Sequence, residues 1–369
     1  MTQTFTLTPW QKKQAALLYH FSSLDYLNGL RDRVNALKSF AEERLEKSRS
    51  EGRDRFLRSA QWGDRDTTEN WADNAWPFLA DFQTSVATAI ADLPSEIYHV
   101  TGASHCIRGI SEFSLQWTTA DEEKYFDQLL ADIYAYASNI DYTMQKRYGV
   151  SWWDDFCLTK AWVEQSGKLQ RIPKFNVLID VASENDALPA RSGVYASIDD
   201  PHASLQFAWK GGRGGRLIPA SSFNELGLAA LSAVGRKRLW VDQLAMRDFV
   251  CANLSNPVLT DDPHFEGSPE PELAPSLVAR NAFKSSPSRW CLVELVPGEF
   301  EPVEEDKDDF HPFSPENQRF GAGETCTTSG YYFTPARLDS RRWFTAGDIF
   351  PHTDSAYGKT IWQRDAWQK

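Results

Sequence analysis

The chain has 369 residues, 41% of them hydrophobic and 13% aromatic. That is enough apolar material for substantial cores, is incompatible with disorder over most of its length, and makes two domains the default expectation. Its 51 acidic residues against 39 basic ones leave a formal net charge of −12, which argues against direct nucleic-acid binding, since phosphate contacts need clustered Lys and Arg.

The first 150 residues read as helices. Thr8 and Pro9 form a cap and first turn, followed by Trp10, Leu17, Leu18, Phe21 and Leu24 at helical spacing. A charged helix runs from about Arg31 to Lys47. Trp71, Ala75, Phe78, Phe82, Val86 and Ile90 mark a third, which stops before Pro94. The capping box Thr119-x-x-Glu122 opens a long helix with Phe126, Leu129, Leu130, Ile133, Ala137 and Ile140 on one stripe and Gly149 as its C-terminal cap. Short connections predict an antiparallel bundle.

After Trp152-Trp153 the period changes. Val177–Val181, Gly193–Ile198, Ser204–Lys210, Trp290–Val296 and Tyr331–Phe333 are rich in β-branched and aromatic residues and predict strands. Gly211 to Gly215 reads as a hairpin loop between two of them. Helices are predicted at Phe223–Val234 and Asp242–Ala252, and residues 254–288 are too rich in Pro, Ser and acid for regular structure. The expected fold class is α+β, with an N-terminal antiparallel helical bundle followed by an α+β region holding a small twisted antiparallel sheet. The expected domains are 1–165 and 166–369, the second with acidic, Pro-rich loops at 254–288 and 297–318. Ser192-Gly193-Val194-Tyr195 and Ser329-Gly330-Tyr331-Tyr332 echo each other, either as paired strands of one sheet, as a duplication, or by coincidence.

Catalytic signatures are scarce. Gly211–Gly215 lacks the spacing of a phosphate cradle, and Gly358-Lys359-Thr360 has Thr353 where a P-loop needs glycine. The basic runs Arg236-Lys237-Arg238 and Arg341-Arg342 are too short for a nucleic-acid groove. Five separated cysteines (Cys106, Cys157, Cys251, Cys291, Cys326) contain no C-x-x-C, so neither a disulfide framework nor a zinc spacing is present. Free thiols, a start without a signal-peptide pattern and no apolar run of membrane-spanning length predict a soluble, cytoplasmic protein with no membrane contact.

Three strings place two carboxylates before a histidine: Asp199-Asp200-Pro201-His202, Asp261-Asp262-Pro263-His264 and Asp308-Asp309-Phe310-His311. Convergence on a divalent metal is one reading. Asp-Pro turn chemistry is the plainer one, and no metal or other cofactor is expected. His99 and His105-Cys106 carry a weak nucleophile reading against ordinary packing. Trp71, Trp76, Trp152, Trp153 and Trp162 read as core. Their alternative is a sugar-stacking groove, which calls for exposed Trp beside Asp or Glu.

The most informative segment is Glu299–Asp309 (EFEPVEEDKDD), with seven carboxylates and one lysine. The plain reading is a solvated loop. The sharper one is a docking surface for a basic partner, steered by Glu299, Glu301, Glu304, Glu305, Asp306, Asp308 and Asp309. Phe300, Phe310 and Phe313 are the candidate apolar anchors.

Two blocks, SGVYASIDDPHASLQFAWKGGRGGRLIPASSFNELGLAALSAVGRKRLWVDQLAMRDF over Ser192–Phe249 and GETCTTSGYYFTPARLDSRRWFTAGDIFPHTDSAYGKTIWQ near the C-terminus, resemble the immunity proteins of bacterial polymorphic-toxin and type VI secretion systems. The likeness is to the two-part kind, with a helical N-terminal region joined to an α+β one. It covers the second half well and the first by architecture only. The resemblance implies a non-enzymatic protein that binds and neutralises a cognate toxin, here a basic nuclease, and supplies no catalytic residues. The competing expectation is a carbohydrate-active enzyme or glycan-binding protein using Trp and carboxylates. A homodimer through the helical half is a further expectation.

Overall fold

The computed structural model describes residues 6–147, 150–265, 270–304, 319–326, 329–334, 340–353 and 360–364. The chain divides into two compact units, Met1–Asp306 and Lys307–Lys369.

The first unit begins with helices α1 (Pro9–Phe21), α2 (Leu24–Ser50), α3 (Thr68–Asn74), α4 (Trp76–Asp92), α5 (Ala103–Ile110) and α6 (Ala120–Met144). Local chemistry sets most of their ends. The Thr8 hydroxyl accepts from the Gln11 amide while the Gln11 side chain accepts from the Thr8 amide, both at 3.0 Å. Ser23 caps α2 by accepting from the Tyr26 amide at 3.1 Å, so Leu24 starts a second helix rather than ending the stripe of the first. The third expected helix is two helices. Pro77 has no N–H to offer the preceding turn, and the chain breaks at Ala75. The Thr119–Glu122 capping box is present, but α6 ends at Met144, and Gly149 lies outside the described residues. Helix α2 packs on α4 and α6, and α5 on α4 and α6. No helix among the described residues is long and apolar enough to cross a membrane.

A short ladder of β1 (Lys146–Arg147) and β2 (Val150–Ser151) leads to α7 (Asp155–Gln165), then to β3 (Arg171–Glu184), β4 (Gly193–Ser197) and β5 (Gln206–Ala208). There follow β6 (Ala220–Phe223), α8 (Glu225–Val234), α9 (Gln243–Ala252), α10 (Pro257–Thr260), α11 (Ala274–Asn281), β7 (Phe283–Ser286) and β8 (Arg289–Pro302). The main sheet has the order β3-β8-β4-β5 with antiparallel pairs throughout. Alternation along β4 and β8 gives it two buried faces. Val194, Ala196, Cys291 and Val293 join the helical core, while Tyr195, Trp290 and Leu292 join Leu217 and Ala220 on the other side.

One hydrophobic core therefore runs from Leu7 through Ala161 into Val194, Phe207, Trp209 and Val293. The boundary expected near residue 165 falls inside it, and the division between units lies at Asp306 instead. Two contacts stitch the halves. The Tyr19 hydroxyl of α1 donates to the Val293 carbonyl at 2.6 Å and accepts from the Val194 amide at 3.3 Å, standing between β8 and β4. The buried Asp155 carboxylate accepts from the indoles of Trp10 (2.7 Å) and Trp240 (2.8 Å) and from the Arg236 guanidinium (2.7 Å).

Three further expectations need correction. Gly211–Gly215 does not connect hairpin partners, because β6 pairs with β7; the Gln206 side chain donates to the Ile218 and Pro219 carbonyls and accepts from the Ile218 amide where a ladder would have been. Residues 254–288 hold α10, α11 and β7, since Pro257 and Pro275 sit in first turns, where proline is tolerated. The segment 297–318 is not loop from its start: β8 continues to Pro302.

In the second unit, β9 (Arg319–Gly321), β10 (Gly330–Phe333), β11 (Arg342–Phe344) and β12 (Ile361–Arg364) form an antiparallel sheet of order β11-β10-β12-β9. Its core is Phe320, Cys326, Tyr332, Phe344, Phe350 and Trp362. The echoing strands β4 and β10 thus lie in separate sheets. The α+β class with helices concentrated in the N-terminal half matches the expectation.

Candidate docking surface at the end of strand β8

The end of β8 carries the described part of the acidic run. Between Phe175↔Leu295 and Pro173↔Phe300, residues Val296–Glu299 oppose Lys174 alone, so β8 bulges outward. Gly298, at φ +74° with open space around its Cα, permits the turn. Phe300 emerges from the bulge with 50% of its surface exposed.

Cations from this chain hold the acids in place. Lys174 Nζ lies 2.9 Å from Glu299, and Lys12 of α1 lies 2.9 Å from Glu301 and 3.5 Å from Glu304. Burial works against the Lys12 ammonium, but Glu301 and then Glu304 hold it above its ordinary 10.5. Arg171 donates to the Phe300 carbonyl at 3.1 Å, with its guanidinium 6.0 Å from the Phe300 ring centroid. Exposed pairs of this kind add little stability, because solvent screens them. Their consequence is geometric: an aromatic side chain stands between carboxylates of fixed direction. Glu305, Asp306, Asp308, Asp309, Phe310 and Phe313 lie outside the described residues. Lys12, Lys174 and Arg171 were not legible as part of this surface, because Lys12 and Glu304 are 292 positions apart and no local pattern couples them.

The other candidates resolve into structure. In two Asp-Asp-Pro-His strings, Asp200 accepts from the His202 amide and Asp262 from the His264 amide, each at 2.9 Å, which is the turn chemistry. Asp199 pairs with Arg289 at 2.6 Å and Asp262 with Arg280 at 3.1 Å. The third string lies outside the described residues, and among the described residues no three His, Cys, Asp or Glu are grouped to hold a metal ion. Cys106 is buried, which pushes its thiol up to about 12, far from the thiolate a nucleophile needs. His105 faces Arg108 at 3.3 Å, and His99 faces Asp92 at 2.8 Å. Trp71 and Trp153 are core, Trp76 and Trp162 are half-buried against it, and Trp152 is exposed and stacks on Tyr142 at 5.2 Å.

Comparison with protein-family models, curated proteins and solved structures finds no match to this chain.

Proposed function

We propose that this chain is a bacterial immunity protein that binds a cognate toxin and neutralises it. The observation that carries the reading is the β8 end, where an exposed Phe300 stands between Glu299 and Glu301 on a strand braced by Lys12, Lys174 and Arg171. An aromatic anchor inside an acidic collar suits a basic protein surface, because the ring supplies affinity and the charge supplies steering and register. The resemblance of Ser192–Phe249 and of the C-terminal block to type VI secretion immunity proteins supports the same class. In size and acidity the closer likeness is to TsiT, the immunity protein of the nuclease effector TseT.

In this reading the toxin is a nuclease whose phosphate-binding cleft is basic, and the carboxylates occupy it in place of the nucleic-acid backbone. The chain acts in the cytoplasm, performs no chemistry of its own, and is open to pairing through its helical half. The test is affinity capture from the source bacterium with the tagged chain, at low and moderate salt, followed by expression of the captured protein alone. A stoichiometric, salt-sensitive partner that is toxic alone and harmless on co-expression is the expected result. A partner that is harmless alone, or whose toxicity persists on co-expression, overturns the reading.

A further inference from the structure

The segment between α2 and α3 folds back on itself through a bridge in which the Ser59 and Gly63 amides donate to each other's carbonyls at 3.1 and 2.9 Å. Trp62 stands at its tip, 59% exposed. Beneath the tip is a groove of about 400 Å³. One wall is Trp62, Asp64, Arg65 and Asn70; the other is the turn after α5, with Glu112, Phe113 and Ser114. The walls are braced. The Asn70 side-chain Nδ2 donates to the Arg65 carbonyl at 2.7 Å, Asp64 pairs with Arg58 at 3.2 Å, and the Phe113 backbone amide donates to the Ile110 carbonyl at 3.0 Å.

The lining chemistry narrows the ligand. Two aromatic rings, Trp62 and Phe113, give apolar surface. Around them, Asp64 and Glu112 offer acceptors, Arg65 offers donors and Ser114 offers both. Charge of each sign is present: the Arg65 guanidinium lies 5.8 Å from the Trp62 ring centroid, and Glu112 also lines the groove. An anion meets the carboxylates of Asp64 and Glu112, and a cation meets Arg65, with Asp64 already paired to Arg58. A neutral ligand with an apolar ring face and a rim of hydroxyls avoids both penalties, and the volume falls within the range of small-molecule sites.

We propose that this groove is a binding site for a neutral saccharide, with Trp62 as the stacking platform and Glu112 and Asp64 as hydroxyl acceptors. The site satisfies the condition of exposed Trp beside Asp and Glu, with Asp64 and Glu112 lining the groove under Trp62. It is separate from the β8 end and does not rest on the toxin-binding reading.

The test titrates the full chain with neutral hexose and N-acetylhexosamine disaccharides (maltose, cellobiose and diacetylchitobiose), using saturation-transfer NMR and tryptophan fluorescence. At least one is expected to bind saturably, with affinity lowered about tenfold or more in Trp62→Ala and lowered also in Glu112→Gln. Both side chains are exposed, so the fold is retained, and Trp343→Ala, at an exposed tryptophan of the second unit, leaves binding unchanged. Absence of saturable binding by all three disaccharides, or binding unaltered in Trp62→Ala, overturns the proposal.

Discussion

Glu122 shows how one buried carboxylate organises a helix start. It accepts from the Thr119 amide at 2.9 Å, from Arg53 at 2.8 Å, from Lys47 at 3.0 Å and from Arg44 at 3.3 Å. Burial alone would raise its carboxyl, but Arg53, the Thr119 amide and Lys47 outweigh that and hold it well below the ordinary 4.5. A depressed carboxyl contributes stability that is complete above the unfolded value and is lost as pH falls below it. Glu122→Gln is therefore expected to cost about 2 kcal/mol at neutral pH, with the gap to wild type closing below about pH 4.5 in urea denaturation. A gap independent of pH would show that the charge is not the cause. Asp155 is the second such residue. Asp155→Asn leaves Arg236 with no buried counter-charge and is expected to cost about 3 kcal/mol, read as a lower urea midpoint at unchanged slope. The capping role of Glu122 was legible from Thr119-x-x-Glu122. Its three cations were not, because they come from elsewhere in the chain.

At the scale of elements, the joint between α1 and the sheet is the informative one. Tyr19 supplies the hydroxyl that both the Val194 amide and the Val293 carbonyl use, and burial pushes that phenol up to about 12. Tyr19→Phe strands both backbone groups and is expected to cost about 1–3 kcal/mol, with faster hydrogen exchange at the Val194 amide than at the Ala196 amide of the same strand. Equal protection at both would mean that β4 and β8 close up without the hydroxyl. Gly193→Ala attacks the same joint from the strand, since a Cβ there would sit 2.8 Å from the Tyr19 hydroxyl and 2.9 Å from Leu292. Helix stripes, caps and the cores of β4, β8 and β10 were readable because their signals lie within one turn or one strand. The Tyr19 insertion, the β8 bulge and the β6–β7 pairing depend on residues distant in sequence, so periodicity carried no trace of them.

For the whole molecule, the expected division near residue 165 failed because composition changes there while burial does not: Leu18, Ala161, Val194 and Val293 share one core. The acidic segment was legible as charge but not as structure. Three of its carboxylates are already met by Lys12 and Lys174, so these cations compete with any basic partner. The proposed function then makes a directional prediction. Lys12→Gln and Lys174→Gln release carboxylates and raise association with a basic toxin, whereas Glu299→Gln with Glu301→Gln lowers it and flattens its salt dependence. Phe300→Ala leaves the association rate nearly unchanged and speeds dissociation. The most direct measurement is the association rate of the captured toxin at two ionic strengths for wild type, Lys12→Gln/Lys174→Gln and Glu299→Gln/Glu301→Gln. The account predicts that the lysine variant is fastest and the glutamate variant slowest, with the three rates converging at high salt. Equal rates at low salt would contradict it and place the docking surface away from the β8 end.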